Sequence, residues 1–172
     1  MNNRDQHESA LPLGFIYEGE LVDANGEVIR RFADKNLIPQ SGINHVVGLL
    51  RGATELVPAW YVGVYEGNYV PSTATTAADL QAGAQESTAY TATARPEWVD
   101  SYDGVQLISN IENRAEFTFS TAKRIYGGFL VSSNLKGGNS GVLLSIARFS
   151  SPQDVPAGST LRLGLSITII SA

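Results

Sequence analysis

The sequence predicts a mainly β protein, an antiparallel β-sandwich or jelly roll with one inserted α-helix at about residues 41–51. Three observations lead there. Short apolar or alternating runs recur along the chain, separated by Gly, Pro, Asn and Asp. A single segment carries a helical stripe long enough for three turns. Strand and helix patterns do not alternate, as a parallel sheet would require.

The runs FIYEGELV (15–22) and EVIRRFA (27–33) flank DANG, in which Asn25-Gly26 is a hairpin signal. Tyr17 and Leu21 share one face and Glu18 and Glu20 the other, so the hairpin is expected at a sheet edge or half exposed. In NLIPQSGINHVVGLLRG, Ile43, Val46, Val47 and Leu50 fall at i, i+3, i+4 and i+7. Ser41 is placed to cap this helix and Gly52 to end it. WYVGVYEG (60–67) is aromatic and β-branched and reads as a strand. The polar stretch VPSTATTAADLQAGAQESTAYTATARPEW follows, where Thr76-Ala77-Ala78-Asp79 resembles a capping box and predicts a helical turn at 77–82. The rest, about 25 residues, is expected to be an ordered loop that is functional or draped over a neighbouring molecule.

From residue 97 the chain reads as strand and turn: EWVDSY, VQLISN (105–110), RAEFTFS, KRIYGGFLVSS (123–133), GVLLSIARF (141–149) and TLRLGLSITI. Ala115, Phe117 and Phe119 alternate onto one face, as do Leu161, Leu163, Leu165, Ile167 and Ile169. Pro156-Ala157-Gly158 makes the last turn. Gly127-Gly128 sits inside a strand pattern, which predicts a bulge or the close approach of another chain. Residues 1–13 are expected to form a flexible arm. Residues 14–172 are expected to form a single β-sandwich domain that includes the hairpin 15–33.

The composition excludes several chemistries. The 172 residues are 43% hydrophobic and 17% charged, with no cysteine. A chain of this length buries roughly two thirds of its unfolded surface without disulfides. Thiolate catalysis and Cys-ligated zinc are ruled out. The net charge of −5 argues against a protein whose main task is to grip nucleic acid. No run approaches the ~18 apolar residues of a membrane helix. The opening MNNRDQHESALPLG lacks the apolar centre of a signal peptide, so export through an ordinary cleaved signal is not expected.

YGGFLVSSNLKGGNSGVLLS (126–145) raises the question of a phosphate loop. The P-loop order places Lys after its second Gly, ahead of a helix. Here Lys136 precedes Gly137 and Gly138, and a strand pattern follows. LKGGNSG therefore reads as a hairpin loop. The two histidines, His7 in the arm and His45 on the helix, do not suggest a general base. Asp100 and Asp103 in DSYDG could contribute to a calcium site, but an acidic turn ending at Gly104 is the simpler reading. Carboxylate pairs occur at Glu18/Glu20 and Glu112/Glu116; Glu18 and Glu20 share a strand face with nothing apolar there to raise a pKa, and a solvated or interface-lining face is the simpler reading. No catalytic, cofactor-binding or metal-binding residue is assigned, and no cofactor is expected. Among the aromatics of the middle third, Tyr90, Trp98 and Tyr102 lie among small polar residues and suggest either a protein or glycan interface or satellite packing beneath the loop.

Three segments together resemble the capsid cement (decoration) proteins of short-tailed bacteriophages. They are NLIPQSGINHVVGLL, WYVGVYEGNYVPSTATTAADLQAGAQESTAY with RPEW, and IYGGFLVSSNLKGGNSGVLLSIARF with VPAGSTLRL, spanning roughly residues 36–165. The resemblance implies a jelly-roll body on the outer surface of a virion, made in the host cytoplasm. It implies binding to a major capsid protein of HK97-like fold, bridging of its neighbouring subunits, and no enzymatic activity. A dimer or trimer is expected from the local symmetry of icosahedral surfaces; contact with nucleic acid or membrane is not. The partner interface is expected at Leu11 and Leu13 of the arm and at Trp98 and Tyr102. A tail, baseplate or adaptor protein, a carbohydrate-binding jelly roll and a hydrolase on the same fold remain alternatives.

Overall fold

The computed structural model describes residues 13–169, and Leu13 only through its backbone. The elements run β1 (Leu13–Val22), β2 (Val28–Lys35), α1 (Gln40–Arg51), β3 (Tyr61–Tyr65), α2 (Asp79–Ala82), β4 (Ser101–Tyr102), β5 (Leu107–Ser109), β6 (Ala115–Thr118), β7 (Lys123–Val131), β8 (Leu143–Val155) and β9 (Thr160–Ile169). A 3₁₀ turn, Ile111–Asn113, links β5 to β6. The strands form two antiparallel sheets. The larger has the order β2-β1-β9-β5-β4, with β6 also paired to β9; the smaller has the order β3-β7-β8. The mainly β sandwich read from the sequence is therefore the observed fold.

β1 and β9 pair along their full lengths, from Leu13↔Ile169 to Val22↔Thr160. Alternation then sends Phe15, Tyr17 and Leu21 to the same side as Leu161, Leu163 and Leu165. These meet Val62, Val64, Leu130 and Ala147 of the smaller sheet in the main core. Within it Ser145 Oγ lies 2.9 Å from Tyr17 Oη and accepts from Asn36 Nδ2 at 2.8 Å. β2 is an edge strand, as its charge foretold. The preceding turn is closed by Asp23 Oδ1, which accepts from the amides of Asn25 and Glu27, and by Gly26 at φ 88°. β1 begins at Leu13, so the arm cedes one residue to the sheet; residues 1–12 lie outside the described part.

The smaller sheet is buried on both faces. Its outer face carries Tyr65, Phe129, Val131, Leu143 and Ile146, covered by Ala77, Leu80 and Ala84. Those three come from the long polar stretch, which the sequence allowed to drape over a neighbouring molecule. It is draped over its own sheet instead, because small residues let backbone lie close to a β surface. The predicted turn at 77–82 is α2, where Asp79 Oδ2 accepts from the amide and hydroxyl of Thr76 at 2.8 and 2.9 Å.

In α1 the apolar stripe is divided between solvent and sheet. The stripe Ile43, Val47 and Leu50 faces outward, with exposures of 40%, 54% and 85%. The packed face is Gly42 and His45, with Val46 and Leu49 half-buried. A Cβ on Gly42 would come within 2.5 Å of the Leu144 carbonyl oxygen, so the helix backs onto β8 through its glycine. Ser41 does not cap the helix; its hydroxyl donates to Leu143 O at 2.9 Å. Gly52, at φ 66°, does end it.

Gly127 explains the glycine pair in β7. Pairing with β8 jumps there from Ile125↔Gln153 to Gly127↔Arg148, a bulge. A Cβ on Gly127 would sit 2.1 Å from Ala147 O and 2.2 Å from Tyr65 Oη, which donates to that same carbonyl. The close approach comes from within the chain. Gly127→Ala is expected to destabilise the fold by about 1–3 kcal/mol, read as a lower urea midpoint with an unchanged slope.

Candidate docking surface

Of the side chains proposed from sequence as an interface, Trp98 is a core residue. It is 7% exposed, its ring lies edge-on to Phe15 at 6.3 Å, and its Nε1 donates to Leu165 O at 3.2 Å. Tyr90 is buried as well, edge-on to Phe117 and Phe119. Both lie in polar sequence because that segment covers a sheet with small residues and drops its large ones inward. Tyr102 is 62% exposed, with its hydroxyl donating to Val105 O. Leu11 and the Leu13 side chain lie outside the described residues.

The glycine loop is held by a buried ion pair. Arg95 Nε and Nη2 donate to Glu86 Oε1 and Oε2 at 2.8 and 2.7 Å, and neither side chain is exposed. Arg95 also donates to Ser133 O and Gly138 O, each at 2.8 Å, and Glu86 Oε2 accepts from the Gly137 amide. Lys136 Nζ donates to the carbonyls of Tyr90 and Ala92 and lies 4.3 Å from the Tyr90 ring centre. Its charge is engaged within the protein. Gly137 and Gly141 have φ of 75° and 105°, as a loop turned by glycine requires.

Four further candidate groups take part in contacts within the protein. Glu20 pairs with Arg31 at 2.9 Å and Glu116 with Arg162 at 2.8 Å, both at the solvent face of the larger sheet. His45 is 5% exposed and edge-on to Trp60, with ring centres 5.4 Å apart. Asp103 Oδ1 accepts from the amides of Val105, Gln106 and Leu107 and so closes the turn between β4 and β5, with Gly104 at φ 82°. Among the described residues no three His, Asp or Glu side chains converge as a metal site requires.

What the surface does offer is apolar. α1 starts against the first residues of β8, and His45 on it meets Trp60. Trp60 O accepts from the Trp98 amide at 2.7 Å, and Trp98 meets Phe15 at the start of β1. These contacts put two exposed apolar groups at one end of the sandwich. One is Ile43, Val47, Leu50 and, beyond the helix, Leu56; the other is Val99, Tyr102, Val105 and Ile169. Gathered apolar exposure of this kind marks an interaction surface. The sequence showed the helix stripe through its periodicity and Tyr102 through its polar surroundings. Val99, Val105 and Ile169 were missed, since each sits in a strand-like run that reads as interior.

Comparison of the chain with protein-family models gave no match, and comparison with curated proteins gave none.

Two predictions follow from the buried pair and the β4–β5 turn. Arg95→Ala strands a buried carboxylate and is expected to cost about 3–5 kcal/mol in urea unfolding and to open residues 132–142 to proteolysis. The Leu107, Val105 and Gln106 amides hold the Asp103 carboxyl below its ordinary range. A lowered folded pKa contributes stability in full above the ordinary carboxylate range and loses it as pH falls through the lowered value. The stability gap between the parent chain and Asp103→Asn is thus expected to be widest at neutral pH and to close in strong acid.

Proposed function

We propose that this chain is a structural virion protein that binds the outside of a phage capsid and bridges neighbouring HK97-like major capsid subunits. The observation that carries the reading is the end of the sandwich where apolar side chains of α1, β4, the β4–β5 turn and β9 stand in solvent. A surface of this kind costs solubility unless a partner covers it. The remaining chemistry supports a scaffold role. Of the side chains that sequence could have offered to a reaction, Lys136, Asp103, Glu20 and Glu116 are occupied in backbone contacts, a turn or ion pairs, and the His45 ring packs on Trp60. The resemblance of residues 36–165 to cement proteins supplies the partner class.

On this reading the protein acts without a cofactor and lies on the outer face of the virion, as a dimer or trimer at a local symmetry axis. Individual contacts need only modest strength, because a lattice presents many sites at high effective concentration. A rigid body suits bridging, and the clamp between residues 86–95 and 133–138 supplies rigidity by fixing the loops to the sheet.

Quantifying the chain against the major shell protein in purified particles tests the proposal. A large fixed ratio, near one copy per shell subunit or a simple fraction of it, is expected. A few copies per particle would move the protein to the tail. Absence from every particle would overturn the reading.

A further inference from the structure

The outer face of the larger sheet carries a row of charges whose signs alternate. Arg31 of β2 is the register partner of Glu20 on β1, Glu20 of Arg162 on β9, and Arg162 of Glu116 on β6. Register partners share a face, so the row reads plus, minus, plus, minus across neighbouring strands. Within the chain, Arg31 pairs with Glu20 and Arg162 with Glu116, and all but Glu20 stay open to solvent.

One row further along, the pairing is incomplete. Glu18 is the partner of Ala33 on β2 and of Gly164 on β9. Gly164 lies beneath the 3₁₀ turn: a Cβ there would come within 2.5 Å of Ile111 Cδ1 and 3.2 Å of Arg114 Cγ. The turn and Arg114 therefore stand as a ridge over β9. Beside the ridge, over β1 and β2, is a depression lined by Glu18, Glu20, Arg31, Ala33 and Arg114. Arg114 Nη1 donates to Ile111 O at 2.7 Å, while its Nε is buried and, among the described residues, has no acceptor. The Nε–Nη2 edge of a guanidinium is the one a carboxylate can take with two bonds. Among the described residues, neither Arg114 nor Glu18 belongs to an ion pair.

These features select one occupant, a second copy of the chain. A two-fold axis that runs between β1 and β9, along the strands, reverses the charged row. Arg31 then faces Glu116 of the second copy and Glu20 faces its Arg162, so every charge meets its opposite. The same rotation lays the ridge of one copy in the depression of the other. It also brings Arg114, over Gly164, onto Glu18 of the other copy, and each supplies the partner the other lacks. Lys35 on β2 and Glu112 on the 3₁₀ turn leave this face with as many cations as carboxylates. A chain of net charge −5 therefore meets itself here through a neutral patch.

We infer that the outer face of β2, β1, β9 and β6 is a two-fold interface between copies of this chain, with Arg114 of each copy seated against Glu18 of the other. The inference stands apart from the capsid reading, since it concerns the chain alone. The contact is modest in strength and weakens with salt, because most of its ion pairs lie on a face open to water.

Sedimentation of the purified full chain tests this. A monomer–dimer equilibrium that shifts toward monomer with added salt is expected. Glu18→Arg and Arg114→Glu each set like charges face to face and are each expected to weaken the dimer by on the order of tenfold or more. Mixed in equal amounts, the two variants are expected to recover it, since each then meets its opposite in the other chain. A rearrangement within one chain could not produce that recovery. Ala33→Arg fills the depression from an exposed position, so it is expected to fold and to lose the dimer. Val105→Lys, 76% exposed at the apolar end, is expected to leave the dimer unchanged.

A monomer at every concentration and salt would overturn the inference. So would a dimer that Ala33→Arg leaves intact, or one that Val105→Lys dissolves. Folded Glu18→Arg and Arg114→Glu chains that stay monomeric when mixed would overturn it too; if either variant does not fold, Ala33→Arg decides. If the chain is monomeric and Ala33→Arg loses binding to particles depleted of the chain, the face meets another protein and the inference falls. A chain found on no particle sinks the capsid reading alone and leaves the sedimentation result to decide the interface.

Discussion

The contact on which the rest of this structure depends is the buried pair of Arg95 and Glu86. A charge pair out of water carries a desolvation cost that mutual attraction offsets only when geometry is good and the remaining donors and acceptors are filled. Here they are filled. The guanidinium spends its donors on both carboxylate oxygens and on the carbonyls of Ser133 and Gly138, and it lies 5.3 Å from the centre of the Phe129 ring. The carboxylate takes the Gly137 amide as a further donor. Two long loops, neither with enough regular structure to hold itself, are pinned to one another by groups that no apolar pair could replace without orphaning three backbone groups. Once pinned, they roof the smaller sheet and let Phe129, Leu143 and Ile146 be buried on a face that would otherwise meet water. Gln85, at φ 56°, is the non-glycine residue whose backbone turns Glu86 inward.

That clamp also marks what could be read from the sequence and what could not. The strands were legible because their signals are local: alternation in Ala115–Phe119 and Leu161–Ile169, the Asn25-Gly26 turn, the Pro156–Gly158 turn. The wrong order of glycine and lysine around Lys136 was legible for the same reason. The partners of Lys136 were not, since Tyr90 and Ala92 lie more than forty residues away in sequence. Arg95 and Glu86 were overlooked because a polar residue in a polar segment gives no sign that it will be buried. Trp98 failed in the same way: its neighbours Glu97, Val99 and Asp100 are exposed, and only the sheet beneath decides that its ring turns inward.

The helix exposes a different limit. Periodicity identifies an apolar stripe but not the side on which a helix packs. α1 carries two adjacent faces, Gly42-His45-Val46-Leu49 and Ile43-Val47-Leu50, each at helical spacing. By hydrophobicity the second should be inside. Packing chose the first, because Gly42 brings the backbone into contact with β8 and the edge of the His45 ring meets Trp60. Close approach through a small residue gains contacts along the whole helix, whereas the longer side chains of the second face would hold it off the sheet.

The same choice governs the surface. The outward-facing apolar stripe of α1 stands at the end where the larger sheet overruns the smaller. The opposite arrangement, with the glycine face outward and the smaller sheet extended to cover Ile167 and Ile169, would leave no such surface. Helix orientation and unequal sheet length are independent features of the chain, fixed by different residues, yet both expose apolar area at the same end. A body clamped in its loops by the Arg95–Glu86 pair leaves apolar side chains of α1, β4 and β9 in solvent at one end.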